Sequence, residues 1–330
     1  MSFDRRNFIK TAAFGTIAGL AASYIGVKSA QAAEGEPGTT ECTGQVPGIY
    51  RTKLRDIAVT SIFDGGMQMG PAIILEPDEA EINRLKEKEF IKESYIPGYL
   101  NTFVVSSSGN LTLIDTGFGK GASSTGNLLN NLKAAGFSPD MFNQVLLTHA
   151  HPDHVNGLVD EKGTPVFKNA SIRLSDQELA FWYDDAQKSK LSDKAMMFDA
   201  ARHNLDPYKA LGRIETFIAN ADLGGGITAV DLPGHTPGHS GFRIASGSDQ
   251  LLIWGDIIHM QSLQFAHPEW GLAYDIDADQ AKTTRRKILD EVVTDRLRIG
   301  GMHLSFPGLG NVEKSGEAYA FVPQKWEADL

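Results

Sequence analysis

The sequence predicts a mixed α/β layered domain, on three observations. Short β-type runs recur along most of the chain, helical patterns fall between groups of them, and the composition is that of a globular protein. Of 330 residues, 42% are hydrophobic and 22% charged, which excludes collagen-like, coiled-coil and wholly disordered chains. No repeat or low-complexity tract is visible after residue 48.

The elements follow in order. β-type runs are expected at Ile57–Ile62, Thr102–Ser106, Leu111–Ile114, Gln144–Thr148, Ser171–Leu174, Ile227–Leu232, Gly241–Ile244 and Leu251–Trp254. Helical patterns are expected at about Gly126–Ala135, Asp176–Gln187, Asp193–Asn204 and Asp279–Leu297. The last carries Ala281, Ile288, Leu289, Val292 and Val293 as an apolar stripe among charges, as in a surface helix packed on a sheet.

Ahead of these elements lies a segment of another kind. Arg5-Arg6 and Phe8 precede an apolar, small-residue stretch from Thr11 to Val27, and Ala30-Gln31-Ala32 offers a cleavage point. A basic start, apolar middle and small-x-small end form the pattern of a cleaved export signal, here resembling the twin-arginine type. Residues 1–32 are therefore expected to be removed, 33–50 to be a flexible lead-in, and 51–330 to form the domain. The expected location is periplasmic or extracellular, with no stable membrane anchor after cleavage.

Charge and cysteine content narrow the chemistry. Asp and Glu total 41 against 31 Lys and Arg, a formal charge of −10. Removing residues 1–32 takes away Arg5, Arg6, Lys10 and Lys28 with Asp4, a net +3, and leaves −13. That sign disfavours nucleic acid, which needs clustered cations. The single cysteine, Cys42, permits no intramolecular disulfide and no cysteine-built zinc knuckle. It lies in the lead-in without a basic neighbour and reads as an incidental thiol. Any metal site must be built from His and carboxylates.

Function enters at Leu146-Leu147-Thr148-His149-Ala150-His151-Pro152-Asp153-His154. An apolar β-run feeds three histidines and an aspartate within six positions, in a chain with only nine histidines. Alternation places His149 and His151 on one side of an extended loop, so both imidazoles reach one ion. Asp153 and His154 point elsewhere as a helix begins, and can serve a second. Imidazole nitrogen and carboxylate oxygen suit zinc or a similar first-row metal.

This segment matches the His-x-His-x-Asp-His signature of the metallo-β-lactamase superfamily, which the chain resembles further along its length. Asp115-Thr116-Gly117 follows an apolar strand, Pro233-Gly234-His235-Thr236-Pro237-Gly238-His239 stands where the family's third motif is expected, and Trp254-Gly255-Asp256 and Gly300-Gly301-Met302-His303 complete the series. The resemblance implies an αββα sandwich, two mixed β-sheets flanked by helices, holding two divalent ions, with zinc the expected metal. It implies His149, His151 and His235 on one ion, Asp153, His154 and His303 on the other, and Asp256 between them. Asp115 and His239 are implied as supports for the ligands. Two adjacent cations lower the pKa of water toward neutrality and so supply a hydrolytic nucleophile.

From about Asp56 to Phe321 the chain is similar to methyl parathion hydrolase and its lactonase-like relatives, on Ala180-Phe181-Trp182, Asn204-Leu205-Asp206-Pro207-Tyr208, Leu263-Gln264-Phe265 and His303-Leu304-Ser305-Phe306-Pro307-Gly308. Trp182 and Phe198 match aromatic positions lining the relatives' pocket. The loop after Gly117 is one residue shorter than in methyl parathion hydrolase, and its pocket Phe has no match. His259 replaces an apolar residue there, at an offset from Asp256 where homoserine lactonases place a Tyr facing the substrate carbonyl. Asp153 and His259 are thus the candidate catalytic groups. The expected activity is opening of lactones or cleavage of esters, acyl-homoserine lactones included, with promiscuous phosphotriester hydrolysis. The expected substrate is small and neutral, and a homodimer is compatible with the sequence. A dedicated organophosphate hydrolase is the first alternative, and an iron-dependent redox enzyme of the same fold is the alternative from another chemical class.

Overall fold

A computed structural model of the chain describes residues 45–120 and 124–330. The export signal, most of the lead-in and Cys42 lie outside the described residues.

Among the described residues, fourteen strands form two seven-stranded sheets, each with its strands side by side in chain order. The first runs β1 (Ile49–Leu54), β2 (Ile57–Met69), β3 (Ile96–Ser107), β4 (Asn110–Ile114), β5 (Gln144–Leu146), β6 (Ser171–Ser175) and β7 (Ile214–Phe217). It is antiparallel through β4 and parallel from β4 to β7. The second comprises β8 (Asp222–Gly224), β9 (Ile227–Asp231), β10 (Ser240–Ser246), β11 (Asp249–Ile253), β12 (Arg298–Gly300), β13 (Leu309–Ser315) and β14 (Ala318–Pro323), antiparallel except for the parallel β11–β12 pair.

Strand periodicity divides the core into layers. In β3, Phe103 and Val105 face the second sheet while Val104 faces outward. In β11, Leu251 and Ile253 join the layer between the sheets and Leu252 joins the opposite face. Helices cover both outer faces. Those of the first sheet include α2 (Leu128–Ala134), α4 (Asp176–Trp182) and α6 (Ala195–Ala210), and the second carries α8 (Ala278–Thr294). This is the expected αββα sandwich. Near the rim, α1 (Glu79–Lys88) and the short α7 (Gln261–Gln264) pack with Trp270 and Leu272 as a separate apolar group. Among the described residues, no helix is long and apolar enough to cross a membrane.

Several boundaries moved for identifiable reasons. β1 begins at Ile49, inside the stretch read as lead-in. The helix expected over Asp176–Gln187 is two: α4 ends at Trp182, and Asp184 caps α5 (Asp185–Lys190) by accepting from the amides of Ala186 and Gln187. The strand expected to reach Thr148 stops at Leu146, where Asp115 takes the Thr148 amide. α8 starts one residue early, its Asp277 side chain accepting from the Gln280 amide at 2.9 Å. Its buried face includes Arg285, which donates to the carbonyls of Ile257, Pro268 and Trp270 at 2.7–3.0 Å. A guanidinium buried in this way fastens to the helix the two loops that lead toward the histidines.

Candidate metal centre

The candidate residues gather where strands of both sheets end. Asp115 follows β4, His149 to His154 follow β5, His235 and His239 lie between β9 and β10, Asp256 follows β11 and His303 follows β12. In α/β sheets this edge is where loops rather than ladders use the polar groups, so side chains can converge.

They converge on Asp256, which is buried. Its Oδ1 lies 3.2 Å from His154 Nε2, and its Oδ2 lies 3.2, 3.3 and 3.6 Å from the Nε2 atoms of His303, His235 and His149. His151 Nδ1 is 2.9 Å from His235 Nε2. Asp153 Oδ2 lies 3.5 Å from His154 Nε2 and 3.4 Å from His303 Nε2. Among the described residues three donor groups result, His149–His151–His235, Asp153–His154–Asp256–His303 and His235–Asp256–His259. The first two bring together the residues the sequence implies for each ion, with Asp256 Oδ2 also near His149 and His235, and the third adds His259.

The donors suit divalent cations. His149 Nε2, His154 Nε2 and Asp256 Oδ1 are buried and have no hydrogen-bond partner, a costly arrangement that a cation at their meeting point would satisfy. Burial, reinforced by His154, holds His149 well below the usual imidazole range, and burial with His235 does the same for His151. Both are therefore neutral, the form that ligates. Burial alone would lower His235 too, but hydrogen bonds to Asp256 and Asp275 outweigh it and raise its pKa to about 9. Burial works against the charge on Asp256, yet His154, His303, His259 and His149 hold it well below the usual carboxylate range.

The supporting residues take definite positions. Asp115, at φ 59°, accepts the Thr148 amide at 2.8 Å, the Thr148 hydroxyl at 2.7 Å and His154 Nδ1–H at 2.7 Å. It thereby turns the chain out of β5 and fixes the His154 ring with Nε2 free. His239 donates Nδ1–H to the Leu232 carbonyl at 2.8 Å and accepts the Asp256 amide on Nε2 at 2.9 Å. Those roles require the neutral ring, and burial with His235 nearby pushes its pKa down to about 3. Gly255, at φ 59°, leaves no room for a side chain: a Cβ there would stand 2.4 Å from His239 Nε2.

Trp182 and Phe198 are both fully enclosed, at 0% exposure. Trp182 packs edge-on to His151 with centroids 5.4 Å apart, and Phe198 packs behind Trp182 at 4.7 Å. In this structure they buttress a histidine from the core instead of facing an open pocket. Their sequence neighbourhood does not distinguish these roles. The open side of the cluster is at Asp153, whose side chain is 19% exposed against 6% for His259. His259 stacks on His303 (5.0 Å, 15°), and its Nε2 lies 2.9 Å from Asp256 Oδ2 without hydrogen-bond alignment. Burial, only partly offset by Asp256, lowers its pKa to about 4 and leaves it neutral.

Asp275 was not anticipated. Its buried carboxylate accepts His235 Nδ1–H at 2.8 Å and the Leu272 amide at 2.9 Å. Burial opposes its charge, but His235 keeps it ionised, with a pKa of about 2. A carboxylate behind a histidine fixes its tautomer and raises its basicity toward a metal. Asp275→Asn is expected to weaken ion binding about 10-fold to 100-fold, read by chelator competition. Unchanged affinity would reduce Asp275 to a loop fastener.

The family model for the metallo-beta-lactamase superfamily matches residues 95–300. The chain belongs to the metallo-β-lactamase superfamily. Like the hydrolases of this fold it resembles, it is a metal-dependent hydrolase. The hydrolase AbOPH of the beta-lactamase superfamily is 31% identical, with 86% of this chain and 100% of that one aligned at a TM-score of 0.82. AidC, a dizinc quorum-quenching lactonase solved with an N-acyl-homoserine product, is 29% identical over 85% of this chain and 99% of its own, with a TM-score of 0.80. A probable metal-dependent hydrolase from Staphylococcus aureus shares the fold at 19% identity, with 84% of this chain and 100% of that chain covered and a TM-score of 0.68. No curated protein matches the sequence.

Proposed function

We propose that this chain is an exported two-ion hydrolase, with zinc the preferred metal, that opens lactones or cleaves esters and turns over phosphotriesters as a side activity. One observation carries the preference for a carbonyl substrate: a neutral imidazole, His259, stands beside Asp256 and against His303 in the cluster. The similarity to AidC, itself a lactonase, supports it. The acidic surplus fits a small neutral substrate, and export rests on the twin-arginine pattern at Arg5-Arg6.

His149, His151 and His235 would hold one ion, and Asp153, His154 and His303 the other, with Asp256 shared. When bound, the ions supply a water of lowered pKa and polarise the scissile carbonyl. The chain does the rest. His259, neutral at pH 7, presents an N–H to the carbonyl oxygen as negative charge grows there. Asp153, on the open side, receives the proton of the attacking water and delivers it to the departing alkoxide. His239 holds the backbone amide of Asp256 and Asp115 holds the ring of His154 while this happens.

The test is His259→Phe, which keeps a flat ring and removes the donor. Lactone kcat/KM is expected to fall about 100-fold, and aryl phosphotriester kcat/KM by less than about tenfold. Equal losses on both substrates would overturn the role of His259.

A further inference from the structure

We propose that Glu178 is a positioning residue that clamps the two loops carrying the first ion's histidines, and so sets the affinity for that ion. The inference rests on the two-ion reading above. Glu178 lies in α4, outside every motif that identifies the family, and is completely buried. Its Oε1 accepts the Ala150 amide at 2.9 Å and the Trp182 indole N–H at 2.5 Å. Its Oε2 accepts the Thr236 hydroxyl at 2.6 Å and the Gly238 amide at 3.1 Å.

The identity of these donors matters more than their number. Ala150 lies between His149 and His151, while Thr236 and Gly238 flank the turn from His235 to His239. One carboxylate therefore ties the β5 loop to the β9–β10 loop at the places where both present imidazoles to the same point. The third donor, Trp182, packs on His151. Gly238 permits the approach, since a Cβ there would stand 2.2 Å from the Glu178 amide nitrogen. Among the described residues no lysine, arginine or histidine forms an ion pair with Glu178, so its role is not charge pairing.

Three of the four donors are N–H groups that cannot accept, so the site requires a group that accepts on both oxygens. Glutamine fills the same volume but turns an NH2 toward one of the two loops, whichever way it is placed. A buried donor then faces a donor, and that loop must move. The second ion's histidines, His154 and His303, are held instead by Asp115 and by the Tyr99 carbonyl, and should not respond.

The experiment is stepwise zinc titration of the metal-free protein against a chromophoric chelator, with cobalt substitution to read the ligand field of each ion. In Glu178→Gln, one of the two affinities is expected to fall about 10-fold to 100-fold and the other to stay within about threefold. The lost cobalt signature should be that of the site with three histidines. Thr236→Val, which removes one donor with little change in shape, should weaken the same ion to a lesser degree, and Thr236→Ser should retain its affinity. These two variants carry the test if Glu178→Gln does not fold. Wild-type affinity for both ions in Glu178→Gln and Thr236→Val, with only a lowered Tm, would overturn the proposal, as would equal weakening of both ions. Failure of the wild-type chain to bind two ions would overturn the two-ion reading itself.

Discussion

Asp256→Ala is expected to leave at most one ion tightly bound and to lower kcat/KM by about 10³-fold or more on every substrate. The Asp256 carboxylate stands within 3.6 Å of nitrogens from His149, His154, His235, His259 and His303. Its oxygens face histidines of both sets, His149 and His235 on one side and His154 and His303 on the other. Without it, two dications would face each other across the site with no charge between them. The fold should survive, because the Asp256 amide stays bonded to His239 and Trp254 stays bonded to the Gly300 carbonyl. Metal content and turnover, measured on a sample with an unchanged far-UV spectrum, check this. A variant that keeps two ions and full activity would contradict it.

Removal of the ions by a chelator is the second large effect, and it acts on stability as well as activity. In the metal-free chain, burial disfavours charge on His154, His235 and His303, but the surrounding carboxylates raise all three above the ordinary imidazole value, His235 to about 9. A raised histidine pKa contributes stability in full below the unfolded value near 6.5, and that stability is lost as pH rises through the folded value. His149, His151, His239 and His259 are lowered instead, so above pH 6.5 they are neutral folded or unfolded and add no slope. The metal-free protein should therefore lose about 5 °C of Tm between pH 6.5 and 9. The loaded protein, whose imidazoles are held deprotonated by the ions, should melt higher and stay nearly flat over that window. Thermal scans of both forms across the range check it; parallel profiles would contradict it.

The sequence made the metal centre legible because most of its donors lie close to strand ends in short motifs. Apolar runs announce β5 and β11, and the first polar residues past them must turn into the edge loops. His149, His151, His154 and Asp256 are visible for that reason. Asp275 and Glu178 were not, because each acts on residues 28 to 60 positions away through contacts that leave no spacing pattern. An acid in α4 or in a rim loop reads as solvated until the fold encloses it. Trp182 shows the opposite difficulty: an aromatic helix residue reads equally as core or as pocket, and only its enclosure against His151 separates them. Among the strands, β12 has three residues and β13 mixes Gly, Asn and charges, so neither stands out from a loop without its partners.

Counting ions and comparing substrates in one preparation tests the two-ion lactonase or esterase reading most sharply. The purified, signal-free chain would be assayed for bound metals, and for kcat/KM on acyl lactones of graded chain length, an aryl ester and an aryl phosphotriester. Two divalent ions per chain are expected, with at least one lactone or ester turned over with kcat/KM about tenfold or more above the phosphotriester. Phosphotriester turnover exceeding every lactone and ester, or full activity with a single ion, would contradict it.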